Sequence, residues 1–160
     1  MVSLDQWLLA LHVLSAFAYV AALVLFSVLI VAVRRADTPA ETIRMEPLGK
    51  IGNGAVAIGA GGTIILGICL AFSYGGYDIW DPWIIAAIVL WAVAGGLGQR
   101  TGAAYLQGMN KAKELEAAGQ TGPNPELLAL NRTSNGMLFH VISCAVVLLI
   151  IVDMIWKPGA

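Results

Sequence analysis

Four long apolar stretches separated by short polar segments organise this chain. From Leu4 to Val33 the sequence is almost uninterrupted apolar, and Arg34 and Arg35 close it. About 20 apolar residues cross roughly 30 Å of hydrocarbon as a helix, so this stretch suffices with some tilt. It is too long for the apolar core of a secretion signal, no basic segment precedes it, and the arginine pair is a stop-transfer pattern. A retained membrane helix over 4–33 is therefore expected. A polar loop is expected over 36–49, broken by Pro39 and Pro47. The second span, 51–73, carries Gly52, Gly54, Gly59, Gly61, Gly62 and Gly67. Glycine lets membrane helices approach closely. This helix is expected to be packed on more than one side, with Gly61 and Gly62 both intolerant of a larger side chain.

The loop from Tyr74 to Trp80 leads to Asp81 and Pro82, an N-cap residue and a first-turn proline. Tyr74, Tyr77, Trp80 and Trp83 are expected to form an aromatic belt at one interface. The third helix is predicted over 82–115, with its apolar part ending near Gly98 and a polar extension beyond. Segment 116–125 reads as a loop and 126–132 as a short helical lead-in. The fourth helix is predicted over 134–156, closed by Lys157, Pro158 and Gly159. The expected fold is all-α: an up-down four-helix transmembrane bundle forming a single domain over 1–160.

Composition agrees. The chain is 59% hydrophobic and 12% charged, whereas soluble domains are about a quarter charged. No basic stripe interleaved with aromatics is present, so no nucleic-acid partner is expected. The distribution of charge says more than the net value of −1. Arg34, Arg35, Arg44 and Lys50 flank the first loop, and Arg100, Lys111, Lys113 and Arg132 flank the third. Only Lys157 lies on the other side, so eight of the nine basic residues share one side. The positive-inside rule makes that side cytoplasmic and puts both termini outside.

Polar side chains in hydrocarbon are costly, so each is either paired or functional. His12 lies in the outer part of the first span, with Ser15 and Tyr19 on its face at i+3 and i+7. Two roles are open to it: a haem or copper ligand, or a buried imidazole hydrogen-bonded to a carbonyl or hydroxyl. His140 lies in the inner half of the fourth span and shares its face with Ser143 and Cys144. Asn53, Gln99, Arg100 and Asn135 fall at comparable depth, and with His140 they form an expected inner polar cluster.

At 1.5 Å per residue His12 lies about 8 Å below the outer surface and His140 about 25 Å. Two imidazoles on one metal ion sit about 4 Å apart, so this pair does not share one. At the depth of His12 lie Met154, the candidate partner for haem b, and Cys69, the candidate partner for copper. Without CxxC spacing, Cys69 and Cys144 otherwise read as small buried apolar side chains. Asp153 and Lys157, at i and i+4, are expected to form an exposed ion pair. Gly95, Gly96 and Gly98 are a packing feature, since no phosphate-loop lysine follows them. No Ser/His/Asp or HExxH arrangement occurs, and no catalytic activity of its own is expected.

The opening Trp7-Leu8-Leu9-Ala10-Leu11-His12-Val13-Leu14-Ser15, the Arg34-Arg35 stop and the closing run from Asp153 to Pro158 resemble a known family. It is a bacterial family of integral membrane proteins grouped with the copper-resistance-D-like proteins. Relatives there include a membrane protoporphyrinogen oxidase and copper-uptake proteins. The resemblance implies haem or metal ligation by His12 and a multi-pass location in the bacterial plasma membrane. It does not imply oxidase activity, because the basic and polar residues of the oxidase relatives on later helices are not evident, and His140 has no counterpart.

Three classes of function are consistent with these residues. The first is an accessory or structural subunit of a larger membrane complex, such as a respiratory one, with the lipid bilayer and other subunits or a second copy as partners. The second is a b-type haem or copper protein using His12. The third is a small transporter, disfavoured because the membrane centre lacks carboxylates. The orientation has a direct test. A reporter fused after Ala160 is expected to be active outside, and one inserted between Glu116 and Asn124 active inside. The reverse pattern in a topology-reporter assay would overturn the assignment of sides.

Overall fold

The computed structural model describes residues 3–73 and 76–159. In chain order the helices are α1 (Leu4–Arg34), α2 (Pro39–Ile43), α3 (Glu46–Ser73), α4 (Pro82–Ala117), α5 (Pro125–Asn131) and α6 (Ser134–Trp156). No described residue lies in a strand. Four helical stretches are long and apolar enough to cross a membrane: α1, the α2–α3 stretch, α4 and the α5–α6 stretch. The molecule is an all-α transmembrane bundle of four spans. Tyr74, assigned to the aromatic belt, and the neighbouring Gly75 lie outside the described residues.

Local chemistry sets the helix ends. Ser3 caps α1, its side chain accepting from the Gln6 amide while Gln6 reciprocates. Thr38 and Glu41 make the same reciprocal box at α2. Pro39 and Pro47, expected to break the first loop, instead open helices. Pro39 is the first residue of α2, and Pro47 is the second residue of α3, which begins five residues earlier than the apolar run. A first-turn proline lacks an N–H that would have no intrahelical partner anyway. Asp81 occupies the N-cap position of α4 without capping it; its carboxylate accepts from the Asp78 amide at 3.1 Å. α4 ends two residues later than expected. Gly119 takes a positive φ of 73°, and the Gln120 amide reaches back to the Leu115 carbonyl. Asn124 caps α5 by accepting from the amides of Glu126 and Leu127.

The four long helices pack as two antiparallel pairs, α1 on α3 and α4 on α6. Asp5, in the first turn of α1, accepts from the Ser73 hydroxyl at the end of α3. Beyond α6, Gly159 lies against Pro82 at the start of α4. Tyr19, Ala94, Val146 and Val147 join the two pairs in one apolar cluster, flanked by Leu90 and Leu97. Between the pairs, the Trp91 indole donates to the Ala60 carbonyl at 3.2 Å. α4, at 36 residues, is about 54 Å long and outruns the hydrocarbon by roughly 24 Å. Its extension packs with α2 and α5 around Ala112, Leu115 and Leu127, making a small cap at the basic end. Ion pairs surround the cap: Lys113 and Lys50 to Glu46, Lys111 to Glu126 and Glu114, and Arg132 to Asp37. Exposed pairs of this kind contribute about 0–1 kcal/mol each, so the apolar contacts carry the cap.

The glycine-rich α3 is packed closely on one side only. Gly59 admits the backbone of Tyr19, and a Cβ there would overlap it. A Cβ on Gly62 would lie 2.5 Å from the Ser15 hydroxyl, and one on Gly52 3.0 Å from the Phe26 ring. Gly54 and Gly61 face open space, and Ile58, on the same outward side, is 72% exposed. The expectation that Gly61 and Gly62 are equivalent is thus corrected. One helical step of 100° carries Gly61 off the α1 interface. Gly62→Leu is expected to lose about 1–3 kcal/mol by overpacking, and Gly61→Leu to keep wild-type stability. Thermal unfolding of both variants in detergent checks this, and equal stability of the two would refute the packing.

Candidate functional site

His12 is half-buried on the α1 face that meets α3. Its Nδ1 lies 2.9 Å from the Thr63 carbonyl oxygen, and a Cβ on Gly67 would come within 3.0 Å of its Cε1. A carbonyl only accepts, so Nδ1 carries the proton and Nε2 keeps its lone pair. The Thr63 carbonyl lies inside α3 and offers the imidazole its second lone pair, while the Thr63 hydroxyl donates to the Gly59 carbonyl at 2.7 Å. An N–H held by a carbonyl with the opposite nitrogen free is how metal-ligating histidines are oriented.

The expected second ligands are not brought to His12 in the same way. Cys69 is exposed. It follows Gly67, the residue beneath the imidazole, by two positions, or about 200° around α3. The expectation that it is a small buried side chain is corrected as well. Met154 is half-buried on α6, at the level of His12: it lies seven residues outward from Val147, as His12 lies seven outward from Tyr19. The His12 ring, however, is turned to α3. Among the described residues no group of three or more His, Cys, Asp or Glu side chains could hold a metal ion.

The inner polar cluster does not close. His140 is buried, but Asn53, Gln99, Arg100 and Asn135 are exposed. Arg100 lies over the Phe139 ring, 5.5 Å from its centroid. Equal depth brought these residues to one level, whereas their angular positions turn them outward. The partner of His140 is instead Ser27 of α1, whose Oγ lies 2.7 Å from Nε2, and Cys144 Sγ lies 3.6 Å from the same nitrogen. Ser27 sits inside an apolar run with no polar residue at its own i±3 or i±4 positions, so only its depth could have suggested it. His12 and Ser27 are fifteen residues apart on α1, about 22 Å, so the two imidazoles belong to separate sites.

At the basic end, a cavity of about 30 Å³ lies one turn beyond His140, lined by Ile30, Arg34, Thr101, Asn131, Gly136 and Met137 among others. Arg34 donates from Nη1 to the carbonyls of Arg132 and Thr133, at 3.0 and 2.8 Å. Asn131 donates to the Thr42 hydroxyl at 2.9 Å, and its own buried Oδ1 has no hydrogen-bond partner.

The opposite end also departs from expectation. Asp153 and Lys157 form no ion pair. Lys157 is the C-cap of α6 with φ 44°, and this left-handed turn swings its side chain off the helix face. Its ammonium donates to the Tyr77 hydroxyl and lies 4.3 Å from the Tyr77 ring centroid and 5.3 Å from that of Trp83. Trp83, expected in the belt, is buried edge-on against Tyr77, while Trp80 is exposed. Asp153 is buried, and neither its Oδ2 nor the Trp83 Nε1 has a hydrogen-bond partner.

These spans and their inward-facing polar groups define a multi-pass helical membrane protein. The chain matches no protein-family model, no curated protein and no solved structure.

Proposed function

We propose that this chain is an accessory subunit of a larger assembly in a bacterial plasma membrane, contacting its neighbour through the outward face of α4. The observation that carries this reading is Gln99. It is exposed, and it follows Pro82 by seventeen residues, about 26 Å, which puts it at the inner edge of the apolar part of α4. An amide facing lipid is costly, and a second helix offers it hydrogen bonds. Gly95, Gly98 and Gly102 surround it, and nothing lies within 4 Å of where their Cβ atoms would be. Such a face lets a neighbouring backbone approach closely. Gently solubilised native membranes are expected to release the chain with other subunits, and Gly98→Leu to release it alone. A wild-type chain migrating as a free monomer in native electrophoresis would end this reading. Migration as an oligomer of this chain only would replace the foreign partner with a second copy.

The Nδ1 contact of His12 favours a second reading, a haem b or copper site at His12. The residues present fit one ligand bond, from Nε2, with the Thr63 carbonyl holding the imidazole. A bound haem or copper ion would supply redox chemistry, and the chain would supply the imidazole and a water-poor setting. In haem-replete cells the purified protein is then expected to show a Soret band. His12→Ala would remove the band while the bundle stays folded, and His140→Ala would leave it. A colourless, copper-free wild-type preparation would eliminate this second reading.

A further inference from the structure

Arg100 is exposed and stands eighteen residues beyond Pro82, about 27 Å, at the inner edge of the apolar part of α4. Its guanidinium carbon lies 5.5 Å from the centroid of the Phe139 ring on α6. Among the described residues no carboxylate pairs with it. α4 has no carboxylate from Pro82 to Lys113, and α5 and α6 have none from Leu127 to Val152. Glu114 lies fourteen residues from Arg100 along α4, and Asp153 fourteen from Phe139 along α6, each about 21 Å away. The carboxylates of the cap are engaged: Asp37 by Arg132, Glu46 by Lys50 and Lys113, Glu114 and Glu126 by Lys111. Two further features lie on this flank. Asn135, exposed on α6, precedes Gly136, whose carbonyl accepts from Thr101, the neighbour of Arg100. Gly96, exposed one turn outward from Arg100, has nothing within 4 Å of where its Cβ would be.

We propose that Arg100, stacked on Phe139 and assisted by Asn135, binds the headgroup of one acidic phospholipid in the leaflet at the basic end, with an acyl chain in the notch at Gly96. The Phe139 ring covers one face of the guanidinium and leaves its N–H edge free, the fork that matches two oxygens of a phosphate. The long arginine side chain reaches from the edge of the hydrocarbon to the level of lipid phosphates. The Asn135 amide adds two N–H donors and a carbonyl that accepts from a headgroup hydroxyl. The lack of carboxylates selects the class of lipid. A zwitterionic headgroup carries an ammonium, which finds no anion here and is repelled by Arg100. An acidic headgroup carries net negative charge and complements it. The site is distinct from the face assigned to a neighbouring subunit. Gln99 and Arg100 are consecutive, so they point about 100° apart around α4, and Arg100 turns to α6. The inference shares no residue with His12 and is independent of both readings above.

The test uses the full chain in a maltoside detergent, with native mass spectrometry counting the lipids that stay bound. The probes are phosphatidylglycerol and phosphatidylcholine with identical acyl chains. One phosphatidylglycerol is expected to be held per chain, roughly tenfold tighter than phosphatidylcholine, as a hydrogen-bonded charge pair provides. Arg100→Gln is expected to bring the two lipids to equal affinity, and Phe139→Leu to narrow the preference. Arg35→Gln, which removes another exposed arginine at the same end, is expected to keep it. Soluble glycerol phosphate, which has the phosphate but no acyl chain, is expected not to displace the lipid. Thermal unfolding in the same detergent checks that each variant keeps its bundle. Equal affinity of the wild type for both lipids would overturn the proposal. So would a preference unmoved by Arg100→Gln or Phe139→Leu, or one lost equally in Arg35→Gln, which would show a diffuse basic surface. Displacement by glycerol phosphate would make the ligand a free phosphate ester and overturn the lipid assignment.

Discussion

The close approach of α1 to α3 is the constraint on which the rest of the structure depends. In lipid no hydrophobic force draws apolar helices together, so contact and hydrogen bonds must do it. Contact requires a groove, and Gly52, Gly59, Gly62 and Gly67 supply one along a single side of α3. Phe26, Tyr19, Ser15 and His12 fill it in succession. Gly49 continues the groove beyond the apolar run, where Tyr105 of α4 fits over it and donates to the Met45 carbonyl at 3.3 Å. The same approach brings the Thr63 carbonyl to the His12 imidazole, so the orientation of that ring follows from the packing.

The second pair and the joint between pairs use hydrogen bonds to helix carbonyls that are already engaged within their own helices. Ser143 donates to the Ala94 carbonyl at 3.1 Å, and Thr101, which also bonds the Leu97 carbonyl of its own helix, to that of Gly136 at 3.4 Å. A carbonyl has two lone pairs, so it can serve its own helix and a neighbour together. His140 is the exception, since both groups on its Nε2 are side chains.

Exposed polar groups divide by position. The charged residues around α2, α5 and the end of α4 lie beyond the hydrocarbon, where water solvates them. Gln99 lies at the inner edge of the apolar part of α4 and faces outward among glycines.

The four spans, their approximate limits and the shared side of the basic residues were legible in the sequence, because length, apolarity and charge asymmetry are one-dimensional properties. So was the separation of His12 from His140, which follows from the rise per residue alone. The prolines were misread as breakers because the same residue stops a helix from inside and starts one from its first turn. What only the tertiary structure decided is azimuth. Depth grouped Asn53, Gln99, Arg100 and Asn135 with His140, yet rotation about the helix axes scattered them and delivered Ser27 in their place. Adjacent Gly61 and Gly62 part company for the same reason, and Lys157 leaves Asp153 because one left-handed residue ends the helical spacing. Which way a membrane helix turns depends on its neighbours, and in a chain apolar on every side the sequence pattern alone does not reveal where they are.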